Sequence, residues 1–160
     1  MSSTAEKDNP WVKVTSKFKH AFSSTLPRTK LPPSNTIITK GDSGATNHYF
    51  ALRDKNGLNN CIPSENPIEV TLPNAATLHS TEEANLPFDH LSPTGSKVDI
   101  FPGLRHSLIS LGQLCDDGCE IKLNKHKLIA TKEGKVILEG HRNLSDKLWD
   151  IPLPPPPQPI

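Results

Sequence analysis

Asp42-Ser43-Gly44-Ala45-Thr46 sets a carboxylate two residues before a glycine with a hydroxyl between them, and the chain offers this arrangement once. Ile37-Ile38-Thr39 leads into it and His48-Tyr49-Phe50-Ala51-Leu52 follows. Both flanks are short apolar runs of strand length, and Gly44 supplies the freedom for a tight turn between them. Taken alone, the triplet also suits an ordinary surface turn, where Asp, Ser and Gly are all favoured. The rest of the chain decides between these readings.

Moving outward, the pattern stays with short strands. Ile68-Glu69-Val70-Thr71-Leu72 alternates as a half-buried strand does, and Pro73-Asn74 turns the chain before Thr77-Leu78-His79-Ser80. Val98-Asp99-Ile100 alternates again ahead of Pro102-Gly103, and Leu108-Ile109-Ser110-Leu111 is a compact apolar run. Gly112 to Asp117 reads as one short helix stopped by Gly118. Glu120 to Leu123, Lys127 to Thr131 and Lys135 to Glu139 read as three strands with polar faces, the last two a hairpin about Glu133-Gly134. Leu148-Trp149-Asp150-Ile151 closes the ordered part. The expectation is an all-β body with one short helix, without βαβ units or internal repeats.

The ends differ. Residues 1–35 mix Ser, Thr, Lys and Pro and read as a flexible arm, with Trp11-Val12-Lys13-Val14 as one short strand and Pro27 and Pro32-Pro33 as breaks. Residues 152–160, Pro152-Leu153-Pro154-Pro155-Pro156-Pro157-Gln158-Pro159-Ile160, are expected to adopt polyproline II rather than pack. A stiff spacer is the simpler use of such a run than a ligand for an SH3 or WW domain. Between these ends, residues 36–124 form the expected main domain and 125–151 a C-terminal β extension.

Composition narrows the function. With 34% hydrophobic residues and 16 prolines in 160 residues, a core involving the whole chain is not expected, and a smaller core that draws stability from a partner fits better. The net charge of +1 comes without like-charge blocks, so neither nucleic acid nor an anionic membrane is an expected partner. The N-terminal residues lack the apolar segment of a secretory signal, and no apolar run is long enough to span a bilayer. Three widely spread cysteines argue for a reducing, cytoplasmic setting rather than a disulfide framework.

The chemistry follows from the carboxylate. Hydrolysing a peptide bond without a metal or a covalent nucleophile requires an activated water and a proton donor for the carbonyl. Two carboxylates sharing one proton supply both, because like charges at close range do not ionise together. One acts as base toward water and the other as acid, and the protons belong to the pair. Asp42 is the candidate catalytic residue. Ser43 would hold the two loops together through its hydroxyl, and Gly44 would let backbone turn and substrate approach. With one such loop per chain, the second carboxylate must come from another copy, which predicts a two-fold homodimer.

Asp42-Ser43-Gly44-Ala45-Thr46-Asn47-His48 resembles the signature that opens the protease of copia-type LTR retrotransposon polyproteins. Phe101-Pro102-Gly103-Leu104-Arg105-His106-Ser107-Leu108-Ile109-Ser110-Leu111-Gly112-Gln113-Leu114-Cys115-Asp116-Asp117-Gly118-Cys119 is similar to a second stretch of the same polyproteins. Gly140-His141-Arg142 and Leu148-Trp149-Asp150-Ile151 resemble the ending they carry just before the integrase. Order and spacing agree over residues 36–152. The resemblance implies a small closed retropepsin-like β-barrel followed by a short β-hairpin extension, and a homodimer cleaving polyprotein junctions in the cytoplasm or in a virus-like particle. It also implies a flap, with Thr77 to Leu86 as the expected segment, and a second turn at Leu108-Ile109-Ser110 leading into the helix. Ser110 stands where many retropepsins have glycine.

Some residues depart from that pattern. Lys40-Gly41 occupy positions where the family carries apolar residues, so the lysine is expected to expose or distort its strand and the glycine to loosen it. Glu82-Glu83 sit in the expected flap, which has no glycine. The chain closes on a proline run rather than an integrase, as a fragment, a degenerate copy or a host gene derived from one would. These features support a rival reading, a non-catalytic dimerisation or peptide-binding module. A third, a cellular retropepsin-like domain of the ubiquitin-directed type, is disfavoured by the segment from Pro102 to Cys119. Cys115 and Cys119 lack the spacing and the histidine pair of a zinc site and are expected to be buried structural residues. His48 is expected to pack or face solvent rather than take part in chemistry. No metal or other cofactor is expected.

Overall fold

The computed structural model describes residues 36–155. The arm at 1–35, with its expected strand at Trp11–Val14, and the tail beyond residue 155 lie outside the described residues. The strands are β1 (Ile38–Asp42), β2 (His48–Ala51), β3 (Asn59–Pro63), β4 (Glu69–Thr71), β5 (Thr77–His79), β6 (Glu82–Asn85), β7 (Lys97–Phe101) and β8 (Leu108–Ser110). The helix α1 (Leu111–Asp116) follows, and then β9 (Glu120–Leu123), β10 (Lys127–Lys132), β11 (Lys135–Arg142) and β12 (Trp149–Pro152). A 3-10 turn at Leu52–Gly57 joins β2 to β3. Among the described residues the protein is all-β with one short α-helix.

Ten strands form one sheet in the order β3-β6-β7-β2-β8-β1-β12-β11-β10-β9. Its two outermost strands, β3 and β9, do not pair, so the sheet is open and the expected closed barrel is not formed. The reason lies in the C-terminal strands. β12 takes the free edge of β1 in antiparallel register, Thr39 opposite Ile151, and β11, β10 and β9 extend the sheet from there. The expected hairpin extension is thus a continuation of the same sheet. Its turn at Glu133-Gly134 has positive φ at both residues (51° and 78°), the twist that two-residue hairpins favour.

Burial follows position in the sheet. β1 pairs in parallel with β8, and β2 with β7, and these central strands are buried over most of their length. The outer strand β9 and the separate hairpin β4–β5 alternate instead. Phe50, Val98 and Ile100 from one half of the sheet belong to the same core as Leu128, Leu138 and Ile151 from the other, with Ile109, Leu111 and Leu114 at the centre. The C-terminal end joins this core: Pro152 completes β12 and Leu153, 4% exposed, donates its amide to the Ile37 carbonyl. Pro152 and Leu153, expected to belong to a non-packing tail, therefore join the fold, because an apolar side chain and a backbone amide are both available at Leu153.

Two further expectations are corrected here. Lys40 is not exposed and does not distort β1: it is 3% exposed within a regular strand, and its ammonium lies 2.8 Å from Asp146 and 2.5 Å from Asp150. Gly41 does not loosen the strand. A Cβ there would sit 3.1 Å from Ile151 and 3.2 Å from Leu128, so the glycine is what lets the core close on β1. Of the two cysteines expected to be buried, Cys119 is buried but Cys115 is exposed on α1.

Candidate active site

β1 ends at Asp42, which stands opposite Ser110 in the parallel register with β8. The chain then turns through Ser43 and Gly44, and the Gly44 amide donates to Asp42 Oδ1 at 2.8 Å. Asp42 is 5% exposed, Ser43 half-buried and Gly44 exposed, so the three residues singled out in the sequence do share one loop. Burial pushes the Asp42 carboxyl above the ordinary carboxylate range, opposed by hydrogen bonds from the backbone of Gly44 and Ala45. A carboxyl raised in this way holds its proton to a higher pH than an exposed aspartate does.

The turn at Ser110 holds this loop in place. Its Oγ donates to the Ala45 carbonyl (2.7 Å) and accepts from the Gln113 amide (3.0 Å), capping α1 and fastening it to the loop at once. A glycine there would make neither bond. His48 lies alongside, fully buried. Its Nδ1 accepts from the Ser110 amide (2.9 Å) and its Nε2 donates to the Gly95 carbonyl (2.8 Å), which requires the neutral ring. Burial lowers its pKa to about 4, against a smaller opposing pull from that carbonyl. Gln113 completes the frame, accepting from the His48 amide and donating to the carbonyls of Thr94 and Lys97, each at 2.9 Å.

Above Asp42 lies a cleft of about 470 Å³, walled by Tyr49, Leu104 and Leu108 on one side and by Val70, Leu72 and Pro73 of the β4–β5 hairpin on the other. The hairpin is held down by its apolar side chains. Val70, Leu72 and Leu78 pack on a small cluster of Ala51, Phe101 and Leu104, and Tyr49 meets Phe101 edge-on at 5.2 Å. The segment that covers Asp42 is therefore residues 69–79. The expected flap at Thr77 to Leu86 is divided instead. Thr77–His79 is the returning strand of this hairpin, while Glu82–Asn85 is β6, an inner strand of the main sheet paired with β3 and β7. Glu82 and Glu83 sit there because cations meet them: Lys55 at 2.6 Å from Glu82 and Lys97 at 3.7 Å from Glu83.

Asp42 is the one carboxylate lining this cleft among the described residues. Lys40, two residues before Asp42 on the same face of β1, forms a charged triad with the buried Asp146 and the partly exposed Asp150. Sequence reasoning missed this triad, since 110 residues separate Lys40 from Asp150 and nothing local announces the pairing. Comparison with protein-family models, with curated proteins and with solved structures finds no match.

Proposed function

We propose that the protein is an aspartic endopeptidase of the copia-type retroelement kind. In this reading it is a retropepsin-like half-enzyme whose homodimer hydrolyses peptide bonds with water activated between two Asp42 side chains. The observation that carries the reading is the setting of Asp42. It is a nearly buried carboxyl on a glycine turn at the floor of an apolar cleft, hydrogen-bonded by backbone and roofed by a two-stranded hairpin. An ordinary surface turn would leave the carboxylate solvated and would need no roof. The cleft holds a single acid, so a second copy is required for the dyad. Its apolar walls fit apolar side chains on either side of the scissile bond.

Two of the reasons for a non-catalytic module lose their force. Lys40-Gly41 support β1 rather than disturb it, and the covering hairpin lies at 69–79, away from Glu82-Glu83. Cys61, Cys115 and Cys119 are free thiols, which suits a reducing compartment. No helix among the described residues is long and apolar enough to cross a membrane.

The test is cleavage of a peptide library at mildly acidic pH by wild type and by Asp42→Asn. Cleavage by wild type and none by the variant is expected; cleavage that survives Asp42→Asn sinks the mechanism. Loss through unfolding is separable. Asn carries no charge to bury, so at pH 7 the variant is expected to be at least as stable to urea as wild type.

A further inference from the structure

Beside the Asp42 cleft lies a second cavity, of about 420 Å³, lined by Thr46, Asn47, Ile68, Asp99, Gln113 and Asp116 among others. Thr46 lines both, so the two cavities adjoin at that residue. Asp99 belongs to the central strand β7 and is 4% exposed. Its Oδ1 is fully buried and has no hydrogen-bond partner among the described residues. The other buried aspartates are all engaged: Asp42 by the Gly44 amide, Asp54 by the Ser107 hydroxyl, Asp146 by Lys40. Leaving a buried carboxylate oxygen unpaired is unfavourable unless something arrives to meet it.

We propose that this cavity is a specificity subsite that receives the cationic side chain, lysine or arginine, of a polypeptide bound across the Asp42 cleft. The inference rests on the peptide-cleaving reading above for its substrate, but its geometry is separate from Asp42. The local charge selects the ligand. Three aspartates, Asp99, Asp116 and Asp117, line the cavity together with Lys97, which is drawn toward Glu83. Asp117 is already satisfied by Ser92 and by Lys132 at 3.0 Å, which leaves Asp99 and the exposed Asp116 to attract a donor. An ammonium or guanidinium supplies that donor and offsets the burial of the carboxylate with an opposite charge. Among the described residues no group of three His, Cys, Asp or Glu side chains is disposed to hold a metal ion, so an organic cation is the fitting ligand. Burial raises the Asp99 carboxyl, with Lys97 opposing and Glu83 adding to it, as expected of an acid whose partner is not yet bound.

The experiment uses ten-residue peptides built about an apolar pair, with lysine, acetyl-lysine, norleucine or glutamate placed at each flanking position in turn. For wild type, lysine is expected to exceed norleucine in kcat/KM by about ten-fold at one position, with acetyl-lysine behaving as norleucine. That ratio is expected to fall to within about two-fold in both Asp99→Asn and Asp99→Ser, and to persist in Glu139→Gln on the distant strand β11. A wild-type ratio near one, an equal response to acetyl-lysine, or a ratio that survives both Asp99 variants overturns the subsite. If wild type cleaves no peptide, binding of the same library decides. Lysine-dependent binding lost on Asp99→Asn keeps the subsite while refuting the peptidase, and binding indifferent to lysine refutes the subsite.

Discussion

Lys40 carries a full charge into the interior, where desolvation alone would forbid it. Its two partners make the position tolerable: Asp146 is fully buried and also accepts the Leu148 amide, and Asp150 also accepts from Asn143. Removing the lysine takes the counter-charge from Asp146 and Asp150 together, so Lys40→Met is expected to cost about 3–5 kcal/mol in urea unfolding. Lys40→Met combined with Asp146→Asn is expected to recover most of that loss, since the amide keeps an oxygen for Leu148. Equal instability of the double variant would show that the ion pair is not what matters. His48 gives a second residue-scale prediction with a definite sign. Its folded pKa of about 4 lies below the unfolded 6.5, so its contribution is complete above pH 6.5 and is lost as pH falls toward 4. The loss amounts to about 3 kcal/mol at one pKa unit per 1.36 kcal/mol. Urea midpoints between pH 7 and pH 4 are expected to fall for wild type and to change much less for His48→Gln, which does not titrate. An unchanged slope in His48→Gln would assign the acid sensitivity elsewhere.

At the scale of elements, the hairpin over Asp42 is closed by Pro73-Asn74-Ala75-Ala76, with Leu72 and Ala76 joined by a backbone hydrogen bond of 2.8 Å. Ala75 sits at φ +70°, a left-handed conformation that disfavours a Cβ. Ala75→Gly is expected to stabilise the tip by about 0.5–1 kcal/mol, read as slower exchange of the Leu72 amide proton; faster exchange would mean that the alanine packs usefully there. This hairpin also shows how far the sequence was readable. Alternation at Ile68–Leu72, the Pro73-Asn74 turn and the return at Thr77 were all plain, as were β1, β2, β7 and β8 from their apolar runs. β6 was obscured because Glu82-Glu83 falls within the expected flap, and the partners that hold it in the sheet, β3 and β7 with Lys55 and Lys97, are distant in sequence. β3, with Asn59, Asn60 and an irregular register against β6, carries no periodic signal. The Asp42-Ser43-Gly44 turn was legible because its chemistry is local. The frame behind it was not, because His48, Gln113 and Ser110 meet only through the antiparallel pairing of β2 with the distant β8. Closure failed as an expectation because nothing local says where β12 will pair.

For the whole molecule, the decisive property is that Asp42 is the one carboxylate among the described residues to line the cleft. If the working unit is a two-fold dimer, subunit exchange with Asp42→Asn is diagnostic. An equimolar mixture that exchanges freely contains about a quarter wild-type homodimer, so activity is expected to fall to about one quarter of that of the same total chain as wild type. Independent monomers would retain about one half. Activity per chain is also expected to decline on dilution, along the same curve as dimer content measured by sedimentation. The pH profile ties these scales together. On the proposed mechanism, acidification from neutral is expected to favour the singly protonated dyad and to raise activity, the direction in which burial shifts the Asp42 carboxyl. The same acidification protonates unfolded His48 more readily than the folded ring and so weakens the fold that positions Asp42. Activity is therefore expected to peak on the acidic side of neutrality and to collapse toward pH 4 together with folded structure followed by circular dichroism. A collapse that precedes loss of structure would place the acid limb in the dyad itself, and would remove His48 from the account.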